Sequence, residues 1–494
     1  MTRRLAAVAG LGLLAGCAIG PSVRPVPPVS AWARVGAPRM ADSTRAFFDS
    51  LAAARAADTA QAAVPAARAR ALPVDSLTDL GWLDVLHDTT LQRLVATALQ
   101  QNQTLAMARA SIREYRAEYG VERSALFPSV GLNGSWSRNK VAFGSLAIAP
   151  YTAWRATGDV SWEMNFWGVT RGLEAARADV AARQAAERAA VLSLVSDVAS
   201  GYLQLLELDQ ERAIAQQTLA SEQATLALAR ERYARGVISE LDVRQFEAEV
   251  AVPAARLAQV DQLQAEQEHA LDVLLGQGPV PIPRSGSLVA AARAVVAPDS
   301  IPAALLARRP DVEEAAQNYR AATARIGLAE AARLPTISIT GSYGSQSTTP
   351  GAAFGSKARV YQALVGISVP LFTGGQLAEA TRAARARAEQ AGAIYRQTVL
   401  TAMQEAGDAL SGVRAARDVA AAEETQAAAL RRALELAELR YNTGLSNYLD
   451  VLDAQRSLFT AQLAASQAQL GQLIAAVQLY KALGGSWPAA APAR

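Results

Sequence analysis

One motif occurs twice in this chain, and it limits the possible folds more than any other feature of the sequence. The first copy covers Leu228–Val243 and the second begins 208 residues later, at Leu436. The identical residues include Arg232 with Arg440, Tyr233 with Tyr441, Gly236 with Gly444, Leu241 with Leu449, and Asp242 with Asp450. In each copy a long helical pattern meets a second one at the glycine, which indicates a helix hairpin. The sequence therefore predicts a duplicated protein with two hairpin tips at one end.

Each half of the chain also contains two segments in which apolar and polar residues alternate. This period of two predicts strands at about 129–139 and 154–164 in the first half, and at 336–346 and 359–369 in the second. A tilted strand of about eleven residues is long enough to cross a bilayer. The apolar faces carry aromatic residues near the strand ends. We interpret these as membrane-interface aromatics: Trp136, Trp154, Trp162, Tyr343 and Tyr361.

Four strands leave two open edges, and open edges do not face lipid, so several copies must share one barrel. Two copies would give an eight-stranded barrel, and side chains completely fill the interior of a barrel of that size. The small, polar inward residues instead favour a water-filled lumen, hence three copies and a 12-stranded barrel. The spacing alone leaves four copies open.

The helical segments are unusually long. The last one has apolar residues at eight of ten heptad positions between Leu449 and Tyr480, a period that imposes supercoiled, side-by-side packing. In each half, a medium helix and the helix after the tip have together about as many residues as the single long helix. Stacked end to end, the two shorter helices would therefore be as long as the single helix, about 90–100 Å. The predicted fold is an α+β membrane protein. A duplicated helix–strand–strand–helix–helix unit contributes strands to a shared barrel and long helices that pack side by side.

The N-terminus has the features of a lipoprotein signal. A basic start is followed by an apolar run that is too short to span a bilayer. No other apolar run reaches the roughly 18 residues that a transmembrane helix needs, so we expect no such helix. The run ends in Leu14-Ala-Gly-Cys17, which resembles the bacterial lipobox, so we predict a signal peptide at 1–16 and acylation of Cys17. An ordinary signal peptide with an incidental cysteine is the alternative. We assign 17–80 to a Pro/Ala-rich tether, 81–286 and 287–485 to the two repeats, and 486–494 to a disordered tail.

Composition excludes several classes of function. The net charge is +3, with Arg and Glu interspersed, which is typical of solvated helix faces and not of a nucleic-acid surface. The sequence contains no Cys/His cluster with metal-ligand spacing and no glycine-rich phosphate loop. We therefore expect no cofactor, no metal and no enzymatic activity.

Over residues 80–485 the chain resembles the TolC-like outer-membrane efflux proteins, in particular the acylated outer-membrane subunits of resistance–nodulation–division (RND) pumps. The resemblance rests on the lipobox and on four further sets of motifs. These are Trp82 with Leu91, Leu94, Ala98, Leu99 and Asn102; Trp162–Gly168; Val369–Gly375; and the two Arg-Tyr-x-x-Gly tips, the second of which includes Tyr448–Gln455.

This resemblance implies a passive exit duct for small molecules. It implies a homotrimer whose 12-stranded barrel spans the bacterial outer membrane and is continuous with a long α-helical barrel in the periplasm. There it would bind a periplasmic adaptor (membrane fusion) protein and an inner-membrane pump. It implies a periplasmic gate at Asp242, Arg440, Tyr441, Asp450 and Asp453. Adaptor docking would occur at the tip turns, Gly236 and Gly444.

The residues themselves leave alternatives open. Asp242 and Asp450 have the spacing of helix-capping acids, and a capping role and a pore role can both hold. A three-fold ring of Asp450 and Asp453 would favour cations. The same fold could instead serve a type I protein secretion system. A periplasmic coiled-coil scaffold without a pore is less consistent with the four strands.

Overall fold

The computed structural model describes residues 35–36, 88–140, 142–143, 146–147, 150–294, 300–301, 306, 308–443 and 445–485. The signal peptide, Cys17, nearly all of the tether, Trp82, Gly444 and the tail therefore lie outside the described residues. The chain divides into two compact units. Among the described residues, the first contains 109–185 and 313–397, and the second contains 186–312, 398–485 and the segments before residue 109.

The first unit contains one four-stranded antiparallel sheet. Its strands are β1 (Ser129–Asn139), β2 (Tyr151–Met164), β3 (Thr336–Ser347) and β4 (Arg359–Ser368), and they pair in chain order. The strands lie where the alternation predicts them. The exception is that β2 begins at Tyr151 and not at 154, because Tyr151 still pairs with Asn139. Within the described residues, β1 and β4 each have a strand on one side only.

The two faces of the sheet differ in polarity, as the period of two predicts. On one face Trp136 pairs with Trp154, their ring centroids 6.3 Å apart, and Tyr343 pairs with Tyr361. Trp162 lies at the helix-side end of β2, where its ring meets Phe166 edge-on at 6.4 Å. On the other face, Asn133 donates a hydrogen bond of 2.6 Å to Asp159.

All four helices of the first unit join the sheet at the same end. The helices α2 (Gln103–Ser124) and α6 (Pro310–Ala331) lead into β1 and β3, and α3 (Phe166–Ala234) and α7 (Gln376–Asn442) follow β2 and β4. The sequence predicted a start near 172 for α3, which is wrong. Asn165 accepts the backbone N–H of Gly168 at 3.0 Å and so starts the helix at Phe166.

The second unit is helical. It contains α1 (Thr89–Gln101), α4 (Glu240–Leu275), α5 (Leu288–Ala294), α8 (Tyr448–Ala482) and the remaining parts of α3 and α7. Its largest core surrounds Tyr202 on α3 and Leu271 on α4. The phenol of Tyr202 donates at 2.8 Å to Asp88, whose carboxylate caps α1.

Several short elements were not predicted, because each has too few residues to show a period. They include α5, a pairing of Val35–Gly36 with Ser300–Ile301, a pairing of Ala142–Phe143 with Leu146–Ala147, and two 3-10 helices, Gly351–Phe354 and Ser356–Ala358. The first of these pairings gives a described strand within the predicted tether.

One described helix, α3, contains an 18-residue stretch that is long and apolar enough to span a membrane, although the sequence analysis expected none. Burial within the protein covers 56% of this stretch. Helix packing therefore accounts for its apolar character without a membrane.

Candidate functional site at the helix tips

The first tip is a backbone turn that depends on one glycine. Gly236 has a φ of 72°, and the N–H groups of Gly236 and Val237 each donate at 2.9 Å, to the carbonyls of Tyr233 and Arg232 respectively. This pattern satisfies the last carbonyls of α3. A Cβ at Gly236 would meet no atom within 4 Å. The position therefore needs glycine for its left-handed conformation and not for space.

The second tip repeats the same hydrogen bond. The N–H of Leu445 donates at 2.8 Å to the carbonyl of Arg440, as Val237 does to Arg232. Gly444 itself lies outside the described residues. The duplicated motif thus gives a duplicated helix end.

We expect Gly236→Ala to destabilise the first tip by about 1 kcal/mol, because alanine must adopt the left-handed conformation there. Backbone amides of the turn should then exchange with solvent about fivefold faster in hydrogen-exchange measurements. Gly278→Ala is the matched control, since Gly278 also faces open space but does not have a left-handed φ. Equal changes in both variants would contradict this account of the turn.

Asp242 lies in the first turn of α4, the helix after the first tip. Its carboxylate accepts the N–H and the hydroxyl of Ser239 at 2.9 and 2.8 Å, while its own N–H donates to the Ser239 hydroxyl. These reciprocal bonds form a capping box. Among the described residues Asp242 bonds neither Arg440 nor Tyr441, so its part in a gate stays a prediction.

The acids of the second tip are free of such bonds. Asn447 caps α8 by accepting the N–H of Leu449 at 2.6 Å, and Asp450 does not complete a box with it within the described part of the chain. Asp450 and Asp453 are exposed one turn apart on α8, and neither bonds another described residue. Both carboxylates therefore lie at the surface of the second tip.

Tyr441 is bound by an arginine, but not by the one that the sequence indicated. A guanidinium nitrogen of Arg232 donates to the Tyr441 hydroxyl, and the guanidinium carbon lies 5.5 Å from the centroid of the Tyr441 ring. Arg440 is exposed and makes no such contact with the described residues. The contact joins α3 of the first hairpin to α7 of the second.

A second contact between the hairpins is aromatic. The ring of Tyr448 lies 4.2 Å from that of Phe246 and 5.3 Å from that of Tyr441, measured between centroids. The Tyr448 hydroxyl also donates to Gln455 at 3.2 Å. We call Arg232, Phe246, Tyr441 and Tyr448 the tip clasp, because together they join all four helices that meet at the tips.

Sequence analysis did not assign three of the four clasp residues to the site. Two of them stand out when the repeats are aligned. Tyr448 matches the acidic Glu240 of the first copy, and Phe246 matches Ala454 of the second. A large aromatic residue that is present in only one of the two copies was the feature of the sequence that could have indicated a contact between the copies.

Two buried carboxylates lie beside the clasp. Glu222 on α3 is 4% exposed and Glu249 on α4 is 6% exposed. Arg456 on α8 donates to Glu249, but one oxygen of Glu222 has no partner among the described residues. Burial raises the pKa of Glu222 to about 7; the charge of Glu249 adds to this and Arg456 opposes it. Burial, followed by the charge of Glu222, also raises the pKa of Tyr448.

The described residues of the tips provide turns, charges and aromatic contacts. Within the described ranges, no group of three or more His, Cys, Asp or Glu side chains could hold a metal ion. The contacts of the tip clasp connect the two hairpins to each other.

Comparison with known proteins agrees with this architecture. The sequence model of the family described as "Outer membrane efflux protein" matches residues 94–277 and 301–485. The chain is 34% identical over 416 residues to the probable efflux pump outer membrane protein TtgC of Pseudomonas putida, covering 82% of this chain and 85% of the relative. It is 33% identical over 423 residues to the outer membrane protein OprJ of Pseudomonas aeruginosa, covering 83% and 87%.

Solved structures show the same fold. The outer-membrane channel OprN superposes with a TM-score of 0.78 and 28% identity, covering 86% of this chain and 96% of that one. The open state of the MtrE outer membrane channel of Neisseria gonorrhoeae gives a TM-score of 0.77 and 28% identity, covering 95% and 98%. These proteins are transport channels, which confirms the predicted class and its location in the outer membrane, with a helical barrel in the periplasm. The chain belongs to the outer membrane efflux protein family, as the outer-membrane component of an efflux system.

Proposed function

We propose that three copies of this chain form one exit channel, in which β4 of each copy pairs with β1 of the next. The observation that carries this proposal is the four-stranded sheet with an apolar face and two unpaired edges. Edges of this kind do not face lipid, so closure into a barrel satisfies them. Three sheets of four strands make a 12-stranded barrel, which is wide enough to leave an open lumen.

The gate of this channel lies at the hairpin tips. The tip clasp holds the two hairpins of one copy together and so favours the closed state. Asp242, Arg440, Tyr441, Asp450 and Asp453 remain our assignment for the gate, with Arg232 and Tyr448 added from the clasp. Three-fold symmetry would arrange Asp450 and Asp453 as acidic rings at the constriction.

The partners are a periplasmic adaptor protein and an inner-membrane pump. The turns at Gly236 and Gly444 are our assignment for adaptor docking, supported by the exposure of Val237 (67%) and Leu445 (73%) beside them. Relatives of this chain carry names such as toluene efflux pump and pyoverdine export proteins. We propose small molecules as the cargo here as well.

The membrane contacts follow from the same assembly. Trp136, Trp154, Trp162, Tyr343 and Tyr361 lie at the membrane interfaces, and acylated Cys17 anchors the chain to lipid. The type I secretion alternative is not favoured, because the named relatives serve efflux. A scaffold without a pore leaves the sheet unexplained.

The test combines gel migration with conductance. Purified protein should migrate as a trimer until it is heated, and should give discrete current steps in planar lipid bilayers. A monomer that gives no steps would disprove the shared barrel.

The acidic rings predict cation preference. Asp450→Asn combined with Asp453→Asn should bring the cation-to-anion permeability ratio close to that of a neutral pore, because the fixed negative charge at the constriction is lost. The ratio is obtained from the reversal potential in a salt gradient. Glu240→Gln is the control, since Glu240 is an exposed acid that begins α4 and is already paired with Arg244. A ratio that is unchanged in the aspartate variant would remove Asp450 and Asp453 from the gate.

A further inference from the structure

Two segments of the sheet are mirror images in sequence. Trp136-Ser-Arg138-Asn-Lys140 covers the end of β1 and the residue after it, and Lys357-Ala-Arg359-Val-Tyr361 covers the two residues before β4 and its start. In both, an aromatic residue, an arginine and a lysine occur at every second position, in that order towards the end of the strand distant from the helices. The two segments belong to the two edge strands of the sheet.

The strand register places each arginine directly beyond an aromatic pair. Trp136 pairs with Trp154, and the next pair outward on the same face is Arg138 with Thr152. Tyr343 pairs with Tyr361, and the next pair outward is Ser345 with Arg359. Because side chains alternate between faces, Arg138 and Arg359 lie on the apolar face that carries the aromatic residues.

The charge of this end of the sheet has a single sign. Residues 134–158 and 341–362 contain five cations and no Asp or Glu. The cations are Arg138, Lys140, Arg155, Lys357 and Arg359. Arg138 and Arg359 are exposed, and neither guanidinium group forms a hydrogen bond or ion pair with any other described residue. Unbalanced cations beside an aromatic belt indicate an anionic partner at the level of lipid headgroups.

This end of the sheet faces the outside of the cell. All four helices join the opposite ends of the strands, and the helices of this family lie in the periplasm. The aromatic pairs then mark the outer membrane interface, and the arginines lie one step further out, among the headgroups.

We propose that Arg138 and Arg359, extended by Lys140 and Lys357, bind phosphate groups of outer-leaflet lipid headgroups. This inference rests on the proposed trimer. Pairing β4 of one copy with β1 of the next places Arg359 and Arg138 on adjacent strands at each of the three interfaces. Two guanidinium groups can bind one phosphate through charge-assisted, bidentate hydrogen bonds.

An anionic cargo at the channel mouth is the competing occupant. Arg155 is the cation that would meet such a cargo, because it lies on the opposite, polar face, which lines the proposed lumen. Arg138 and Arg359 face away from that lumen, so lipid is the occupant that their geometry favours. The opposite placement of Arg155 also provides a matched control.

Native mass spectrometry of the purified full-length trimer, titrated with the bisphosphorylated glycolipid lipid A, tests the proposal. The variant Arg138→Gln/Arg359→Gln should bind lipid A about tenfold or more weakly, because two cations are removed from each site. Arg155→Gln should bind as the unchanged protein does. The monophosphorylated form should bind the unchanged protein more weakly than the bisphosphorylated form.

Three results would overturn the inference. They are equal lipid binding by the double glutamine variant, an equal loss in Arg155→Gln, and displacement of the lipid by inorganic phosphate at low millimolar concentration. If the glutamine variant fails to assemble, Arg138→Lys/Arg359→Lys replaces it; the loss of bidentate geometry should still weaken binding, and unchanged binding would count against the proposal. The same spectra report the trimer. Absence of a trimer in the unchanged protein would refute the shared barrel, whereas a conducting trimer with unaltered lipid binding in the variants would refute only this inference.

Discussion

Replacing Tyr448 with alanine together with Arg232→Ala is expected to open the channel at the tips. Tyr448 stacks with Phe246 and Tyr441, and Arg232 binds the Tyr441 hydroxyl and lies over its ring. Aromatic pairs contribute about 0.5–1.5 kcal/mol each, and an arginine–aromatic contact contributes a similar amount. The double variant therefore loses about 2–4 kcal/mol of closed-state stability in each copy, which shifts the closed–open equilibrium by roughly two orders of magnitude.

Single-channel recording in planar bilayers measures this effect as a higher open probability. Tyr233→Ala is the matched control, because Tyr233 is adjacent to Arg232, 46% exposed and outside the clasp. Comparing each single variant with the double variant separates the aromatic contribution from that of the arginine. An equal opening in Tyr233→Ala, or none in the double variant, would show that the clasp does not hold the gate.

Acid is expected to favour the closed packing of the tips through Glu222. The pKa of this carboxyl is about 7 in the folded chain against its ordinary 4.5, mainly because it is buried. Between these two values the packed state binds a proton that a hydrated, opened state does not. The closed state is therefore most stable below about pH 4.5, and its stability falls as the pH rises. Above about pH 7 it is about 3 kcal/mol per copy less stable than in acid.

The groups around Glu222 set this pH window. Glu249 on α4 disfavours its ionised form, and Arg456 on α8 favours it. Burial raises the pKa of Tyr448 on α8, and the charges of Glu222 and of Glu438 on α7 raise it further. An opening at Glu222 would therefore also loosen the packing of the tip clasp.

The measurement is open probability as a function of pH from 4.5 to 8. Glu222→Gln should give the low, acid-like open probability over this whole range, since glutamine remains neutral. Glu207, on the same helix, also has a pKa of about 7, because of burial and then the charge of Glu211. If Glu207→Gln removes the pH dependence and Glu222→Gln does not, the sensor lies at Glu207, and our assignment is wrong.

Local patterns in the sequence predicted the strands, the long helices and both turns. A period of two placed β1, β3 and β4 within one residue of their observed ends, because alternation requires only neighbours in the chain. The start of α3 was missed because a single polar residue marks it: Asn165, which follows the strand pattern directly and caps the helix. A single polar residue has no period by which sequence analysis could recognise it.

The proposed gate residues show where prediction from local patterns ends. Duplication placed Arg440 and Tyr441 at the second tip, but Arg232 of the first copy binds Tyr441. Which of the two arginines binds Tyr441 depends on how the hairpins pack, and the duplicated motif contains an arginine at this position in both copies. The sequence does not indicate a contact for Tyr448, because its stacking partner Phe246 lies about 200 residues away in the chain.

The sequence by itself determined which residues form helices, strands and tips, since periodicity, glycine turns and capping spacings act over a few residues. Only the tertiary structure decided which side chains meet across the hairpins and which carboxylates lose water. Glu222 has the same appearance in sequence as any exposed glutamate on a long helix. Its pKa depends on packing against α4 and α8, because desolvation is a property of the atoms around a group and not of its neighbours in the chain.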